Sequence, residues 1–289
     1  MKGICKLYDV ETELRDSHII PKFVFDYTKK TGSRFLRNFA NPNQRVQDGF
    51  KRRILSEKAE QLFSKKEKWF AENIFRPYLE DSENPLSYDE NLMFFAISVL
   101  WRSLICHLTE PNIQSQPYVN KLKLVAADWK SYLLGNQTKP QFSKIYLLLT
   151  NRVSWHLLDS DEADYYLTRA IDTTIVANDP PTFVAVYAKF NRFAFWATVH
   201  GGNPKGLNEL KIAAGRGSLS FPQQWSDPYM QSFFKNRLKQ LSNLPPVSEN
   251  QKKVIENDFE RNKEAFLDSD AAAAMRNDLR LKSYINNKK

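Results

Sequence analysis

Cysteine is nearly absent from this chain. Only Cys5 and Cys106 occur in 289 residues, which excludes a disulfide-rich secreted fold and any four-cysteine zinc site. Glycine is scarce as well, at 9 residues. The one glycine-rich stretch, Gly201-Gly202-Asn203-Pro204-Lys205-Gly206, lacks both Gly-x-x-x-x-Gly-Lys-Ser/Thr and Gly-x-Gly-x-x-Gly, so it reads as a loop rather than a nucleotide cradle. Long apolar runs are missing too. The most apolar stretch without charge, Asn91–Trp101, falls short of the roughly 18 residues that span a bilayer. No apolar signal core stands in MKGICKLYDVETELRD. A cytoplasmic, reducing location and no membrane partner are therefore expected. No internal repeat is visible.

What is present is core material and positive charge. Hydrophobic residues make up 42% and aromatics 13%, enough for a folded core. The formal net charge of +9 points first to acidic macromolecules as partners. The charge is uneven. Residues 1–80 carry 17 basic and 11 acidic side chains, residues 81–180 carry 8 and 12, and residues 181–289 carry 17 and 10. Two basic blocks thus flank an acidic middle.

Local pattern divides the chain further. Ile4–Tyr8 and His18–Phe25 read as short extended segments, the second broken by Pro21. Residues 29–50 read as a long basic loop. Ala59, Leu62, Phe63, Phe70 and Ile74 recur at helical spacing, predicting a helix from about Ser56 to Phe75. Pro77–Leu86 reads as a linker. Ser87 with Glu90 matches a capping box before a nearly all-apolar helix to about Leu108. A further helix runs from about Tyr118 to Leu134 and stops at Gly135. Residues 141–149 read as a strand or a buried helix. Thr182–Phe190 and Phe193–His200 read as a hairpin turning at Asn191-Arg192. Helices are expected over about 227–242, 249–266 and 270–285, each behind a good N-cap residue.

The segment that carries chemistry is Asp16-Ser17-His18-Ile19-Ile20-Pro21. The proline fixes the backbone beyond the histidine and the isoleucines anchor the element. An imidazole held in this way suits general-base work near neutral pH. Around it lies a basic set: Lys29, Lys30, Arg34, Arg37, Arg45, Lys51, Arg52 and Arg53. Each phosphate such residues neutralise adds salt-sensitive affinity, and Phe35 and Phe39 are interleaved for stacking on bases.

The run Cys5-x-x-Tyr8, then Ser17-His18-Ile19-Ile20-Pro21, a basic loop, and Lys51 to Glu60 opening a helix resembles the HNH (ββα-metal) nuclease family. The likeness covers residues 4–75, about a quarter of the chain. It implies that His18 is the general base that activates water on a scissile phosphodiester. It also implies one divalent ion, Mg²⁺ or Mn²⁺, with Glu60 at the helical ligand position and Asp16 and Asp48 as nearby carboxylates that can complete the set. In the family two Cys-x-x-Cys pairs form a zinc knuckle. Here Tyr8, Ser56 and Ala59 stand at three of those four positions, so no structural zinc is expected. Ser17 replaces a metal-binding residue and Lys51 stands near the middle asparagine. Families of this kind often act in bacterial defence against foreign DNA.

The resulting expectation is an α+β protein. Residues 1–80 would form a small ββα-metal-like basic domain, and residues 81–289 a larger, mostly helical domain with a short β-hairpin. Three functions follow: a metal-dependent endonuclease, a catalytically inactive module that holds nucleic acid (DNA before RNA), or a subunit that meets a protein partner through residues 81–289. Other residues weigh less. Trp69 and Phe70 read as packing, and His107 and His156 as satisfied core histidines. Cys106 and His107 are adjacent on a helix and point about 100° apart, which makes a poor dyad. Ala214-Gly215-Arg216-Gly217 reads as a turn. The acidic run from Asp159 to Asp164 reads as a solvated helix start.

Overall fold

The computed structural model describes residues 2–32, 36–37, 43–46, 48–152 and 163–287. The first strands are β1 (Lys2–Ile4) and β2 (Glu11–His18), joined by a turn at Asp9, whose φ is +54°. Helix α1 (Lys22–Lys30) follows at once. Extended structure therefore ends at His18 rather than running to Phe25. Pro21 sits at the N-cap with φ −55°, where its missing N–H costs nothing and its fixed φ starts the helix. Within the stretch read as a loop, β3 (Leu36–Arg37) pairs with β4 (Arg45–Val46). Then β5 (Lys51–Ser56) pairs antiparallel with β2, with a bulge at Arg15/Asp16, giving the sheet order β1-β2-β5.

Ser56 ends β5 and caps α2 (Glu57–Phe70), its hydroxyl accepting from the Ala59 amide at 3.3 Å. The apolar spacing buries Ala59, Phe63 and Phe70. A π-helical turn, Ala71–Phe75, leads into α3 (Arg76–Glu80). Strand β6 (Leu86–Tyr88) precedes α4 (Glu90–His107). The cap of α4 is Asp89, which accepts from the Asn91 amide at 2.9 Å; Ser87 lies in the strand instead. Helix α4 is buried from Leu92 to Leu104 almost without interruption, as its all-round apolar sequence predicts. Next come α5 (Pro111–Gln114) and α6 (Val119–Leu133).

The expected hairpin is real. It is β9 (Val184–Phe190) and β10 (Phe193–His200), with Asn191 at φ +47° in the turn. It forms the middle of a four-stranded antiparallel sheet, β7-β10-β9-β8, with β7 (Lys144–Leu149) and β8 (Ile171–Ala177) outside. Helix α7 (Ala163–Arg169) precedes β8. A 3₁₀ segment, Pro204–Leu210, follows β10, and β11 (Gly217–Leu219) pairs with β6. The chain closes with α8 (Pro228–Ser242), α9 (Glu249–Arg261), α10 (Lys263–Leu267) and α11 (Asp270–Asn287).

Both faces of the four-stranded sheet are covered. One face presents Ile145, Leu147, Val184, Val186, Phe190, Phe193 and Phe195 to α2, α4 and α6. The other presents Tyr146, Tyr187 and Trp196 to α7, α8 and Leu281 of α11. Each fully buried side chain of this size stabilises by about 1.5–3 kcal/mol. The first cluster runs unbroken from Cys5 and Leu55 through Phe75 and Tyr78 to Leu219, across the segment read as a linker. Phe70 stacks on Phe95 at 3.9 Å, and the Tyr78 hydroxyl donates to the Thr150 carbonyl at 3.0 Å. Among the described residues no helix is long and apolar enough to cross a membrane.

Candidate functional site

His18 is the last residue of β2, opposite Lys51 at the first position of β5. Its neighbour Ser17 is fully buried and points the other way, as strand alternation requires. The imidazole is mostly sheltered. Its Nε2 lies 3.1 Å from the Asp48 carbonyl and 3.4 Å from the Asp48 carboxylate. Both partners are acceptors, which assigns the proton to Nε2 and leaves Nδ1 as the basic nitrogen. Gly49 makes this approach possible. Its φ is +67°, and a Cβ there would sit 2.4 Å from the Phe25 ring, so only glycine fits the turn that delivers Asp48.

The backbone at His18 is fixed from behind. Arg102 of α4 is buried, donates from Nη1 to the His18 carbonyl at 2.8 Å, and pairs through Nη2 with Glu67 at 2.8 Å. The next residue is held as well, since the Ile19 amide donates to the Phe50 carbonyl at 3.1 Å.

The carboxylates named from sequence are spread out. Asp16 accepts from the Arg53 guanidinium at 2.8 Å across the ladder, and this bond holds its carboxyl below the ordinary range. Asp48 is paired with the Lys51 ammonium, which lowers its carboxyl in the same way. Glu60 lies in the first turn of α2, half-buried, and its Oε1 has no hydrogen-bond partner among the described residues. Among the described residues no three His, Cys, Asp or Glu side chains converge as a metal site requires. The three carboxylates do not converge among the described residues, so as placed they do not supply the ligand set that the family resemblance implies.

The two halves of the expected knuckle do meet. The Ser56 amide donates to Cys5 Sγ at 3.3 Å, and Lys58 lies over the Tyr8 ring at 4.8 Å. Burial alone would raise the Cys5 thiol; bonds from Ser56 and from the amides of Tyr8 and Leu7 outweigh it and hold the thiol below its ordinary value.

Of the basic set, Lys51 and Arg53 share one face of β5, and Arg52 between them points to the other. Lys29 and Lys30 close α1, with Lys29 3.8 Å from Asp26. Arg45 lies on β4 opposite Arg37 of β3. Arg34, Phe35, Phe39 and the Arg37 side chain lie outside the described residues, as do His156 and Asp159 to Glu162. One contributor was missed from sequence. Phe50 is 49% exposed, and the Arg52 guanidinium lies 4.0 Å from its ring centre. The signal was there in Phe50-Lys51-Arg52-Arg53, an aromatic directly before three cations. Cys106 and His107 make no dyad. Burial pushes the Cys106 thiol up to about 11, while His107 turns to Glu110 at 2.9 Å. No protein-family model, curated protein or solved structure matches the chain.

Proposed function

We propose that this protein engages nucleic acid through the end of the β2–β5 ladder, and that β2, β5 and α2 form an HNH-like ββα unit kept for binding. One observation carries the reading: Lys51 and Arg53 stand opposite His18 and Asp16 on one face of the ladder, and Arg52, opposite Ser17, projects from the other face over exposed Phe50. A polymer phosphate meets solvent-reachable cations first, and an aromatic edge beside them accepts a base. The pairs with Asp16 and Asp48 are no barrier. Exposed ion pairs contribute little, and a phosphate oxygen is a better acceptor for a guanidinium fork. DNA is the first substrate to test.

A second reading, a metal-dependent endonuclease, is favoured by the His18–Asp48 contact, which sets one tautomer as a general base requires. The experiment is fluorescence anisotropy with DNA and RNA oligonucleotides across a salt series. Plasmid cleavage runs alongside in Mg²⁺, Mn²⁺ and EDTA, with His18→Ala as control. Binding that persists in EDTA, weakens with salt and leaves the plasmid intact is the expected result. Cleavage that needs metal and is lost in His18→Ala moves the conclusion to the nuclease. Salt-independent binding, or none, overturns both.

A further inference from the structure

A second cationic centre lies away from the ladder. Arg169 at the end of α7, Arg192 in the β9–β10 turn and Arg152 after β7 all reach a single carboxylate, Asp270 at the start of α11. Arg152 Nη2 and Arg192 Nη2 are each 3.2 Å from Oδ1, and Arg169 Nη1 is 3.1 Å from Oδ2. Arg169 is 1% exposed and Arg192 11%. Among the described residues three guanidinium groups thus meet one carboxylate, and two of them, Arg169 and Arg192, are sheltered where burial makes uncompensated positive charge expensive. The donors are not exhausted either. Nε of Arg169 and Nε of Arg192 are both buried without a hydrogen-bond partner among the described residues.

The surroundings define the shape of the site. Arg169 is locked by the Thr31 hydroxyl at 2.7 Å and the Thr28 carbonyl at 2.8 Å. Asn191, also buried, donates to the Thr28 hydroxyl at 3.1 Å. The Ala271 amide donates to the Thr31 carbonyl at 3.1 Å, which seats the α11 start. A Cβ on Gly32 would come within 2.7 Å of Arg169 Nη2, so the chain passes tightly over the cluster. Pre-set planar donors of this kind match a tetrahedral oxyanion, which offers more acceptor atoms than a carboxylate.

We propose that Arg152, Arg169 and Arg192 form a phosphate-binding site whose intramolecular occupant is Asp270. A phosphate group competes with that carboxylate for the three guanidiniums, and α11 loosens as it enters. The proposal is independent of the ladder reading.

The test compares wild type, Asp270→Asn and Asp270→Ala in unfolding scans with 10 mM inorganic phosphate or with chloride at matched ionic strength. Both variants are expected to melt lower than wild type in chloride. Phosphate should then raise their midpoints by about 3 °C more than it raises that of wild type. Adding Arg192→Ala to Asp270→Asn should abolish the difference. Asp270→Asn keeps the size of the helix start, so it serves if the alanine variant does not fold. A phosphate response no larger than that of wild type, or an asparagine variant unfolded in both buffers, overturns the proposal. A parallel arm uses an oligonucleotide without terminal phosphates. Tighter binding by Asp270→Asn that is lost with Arg192→Ala assigns the site to polymer phosphate. A response to the free ion alone assigns it to a small phosphate ligand. Loss of ladder binding in Lys51→Ala or Arg53→Ala leaves the phosphate response of Asp270→Asn in place.

Discussion

The two main sheets use the same antiparallel pairing for opposite ends. In β9 every residue is buried, and β10 is buried over its first five. In β2 exposure alternates and the ion pairs stand in water. A strand covered on both faces has no room for chemistry, and its side chains are chosen by volume. A strand with one wet face can carry charges that change partners, because those charges hold little of the fold together. On the proposed function the four-stranded sheet is scaffold and the β1-β2-β5 sheet the working edge.

That contrast can be broken or sharpened by substitution. Phe70→Ala removes a ring with no exposed surface, stacked on Phe95 and edge-on to Phe193 at 5.4 Å. A loss of about 3–5 kcal/mol is expected in urea unfolding. A loss below 1 kcal/mol would mean that α2 is not anchored to the scaffold as described. Arg102→Ala should cost about 3 kcal/mol, because it strands the sheltered Glu67 carboxylate. It should also move the His18 imidazole resonances, since the His18 carbonyl loses its donor; unmoved resonances would uncouple scaffold from edge.

Lys189 on β9 tests the dry side by pH. It is wholly buried, with the Asn191 carbonyl as acceptor, and burial pushes its ammonium down to about 7 from an ordinary 10.5. Between those values the unfolded chain holds the proton and the folded chain does not. Stability therefore rises with pH through that window, by at most about 1.4 kcal/mol per pH unit, and is level below it. Lys189→Met should remove that rise relative to wild type across pH 7–10. The smallest effect belongs to the wet edge. Asp16→Asn should leave the unfolding midpoint unchanged while strengthening oligonucleotide binding by freeing Arg53. Arg53→Ala should lower the slope of log affinity against log salt by about 1.

Legibility in the sequence followed the range of the interaction. The β9–β10 hairpin and the Ser56 helix start were readable because their causes lie within a few residues: β-branched and aromatic runs, and a hydroxyl three residues before its amide. The α1 sequence reads as extended, since Ile-Ile-Pro-Lys-Phe-Val-Phe looks like a strand until Pro21 is seen as a cap. Pro77–Leu86 reads as a linker by composition, yet Tyr78 is packed across it. At the candidate site, the strand-end position of His18 follows from its flanking residues. Its partner Asp48, 30 residues away, was a carboxylate of uncertain place, and Arg102, 84 residues away, left no local sign. The three arginines on Asp270 come from separate elements and converge only in space.

Helices α9 and α10 bury no residue, yet they lead to α11, whose Ala271, Ala272, Ala274 and Leu281 are buried and whose Asp278 accepts from the amides of Asp164 and Tyr165. The segment leading to α11 is thus less anchored than α11 itself. A protease that nicks residues 249–267 would leave two chains joined by packing alone. The last helix would then be a detachable part, open to exchange with a synthetic copy supplied in solution.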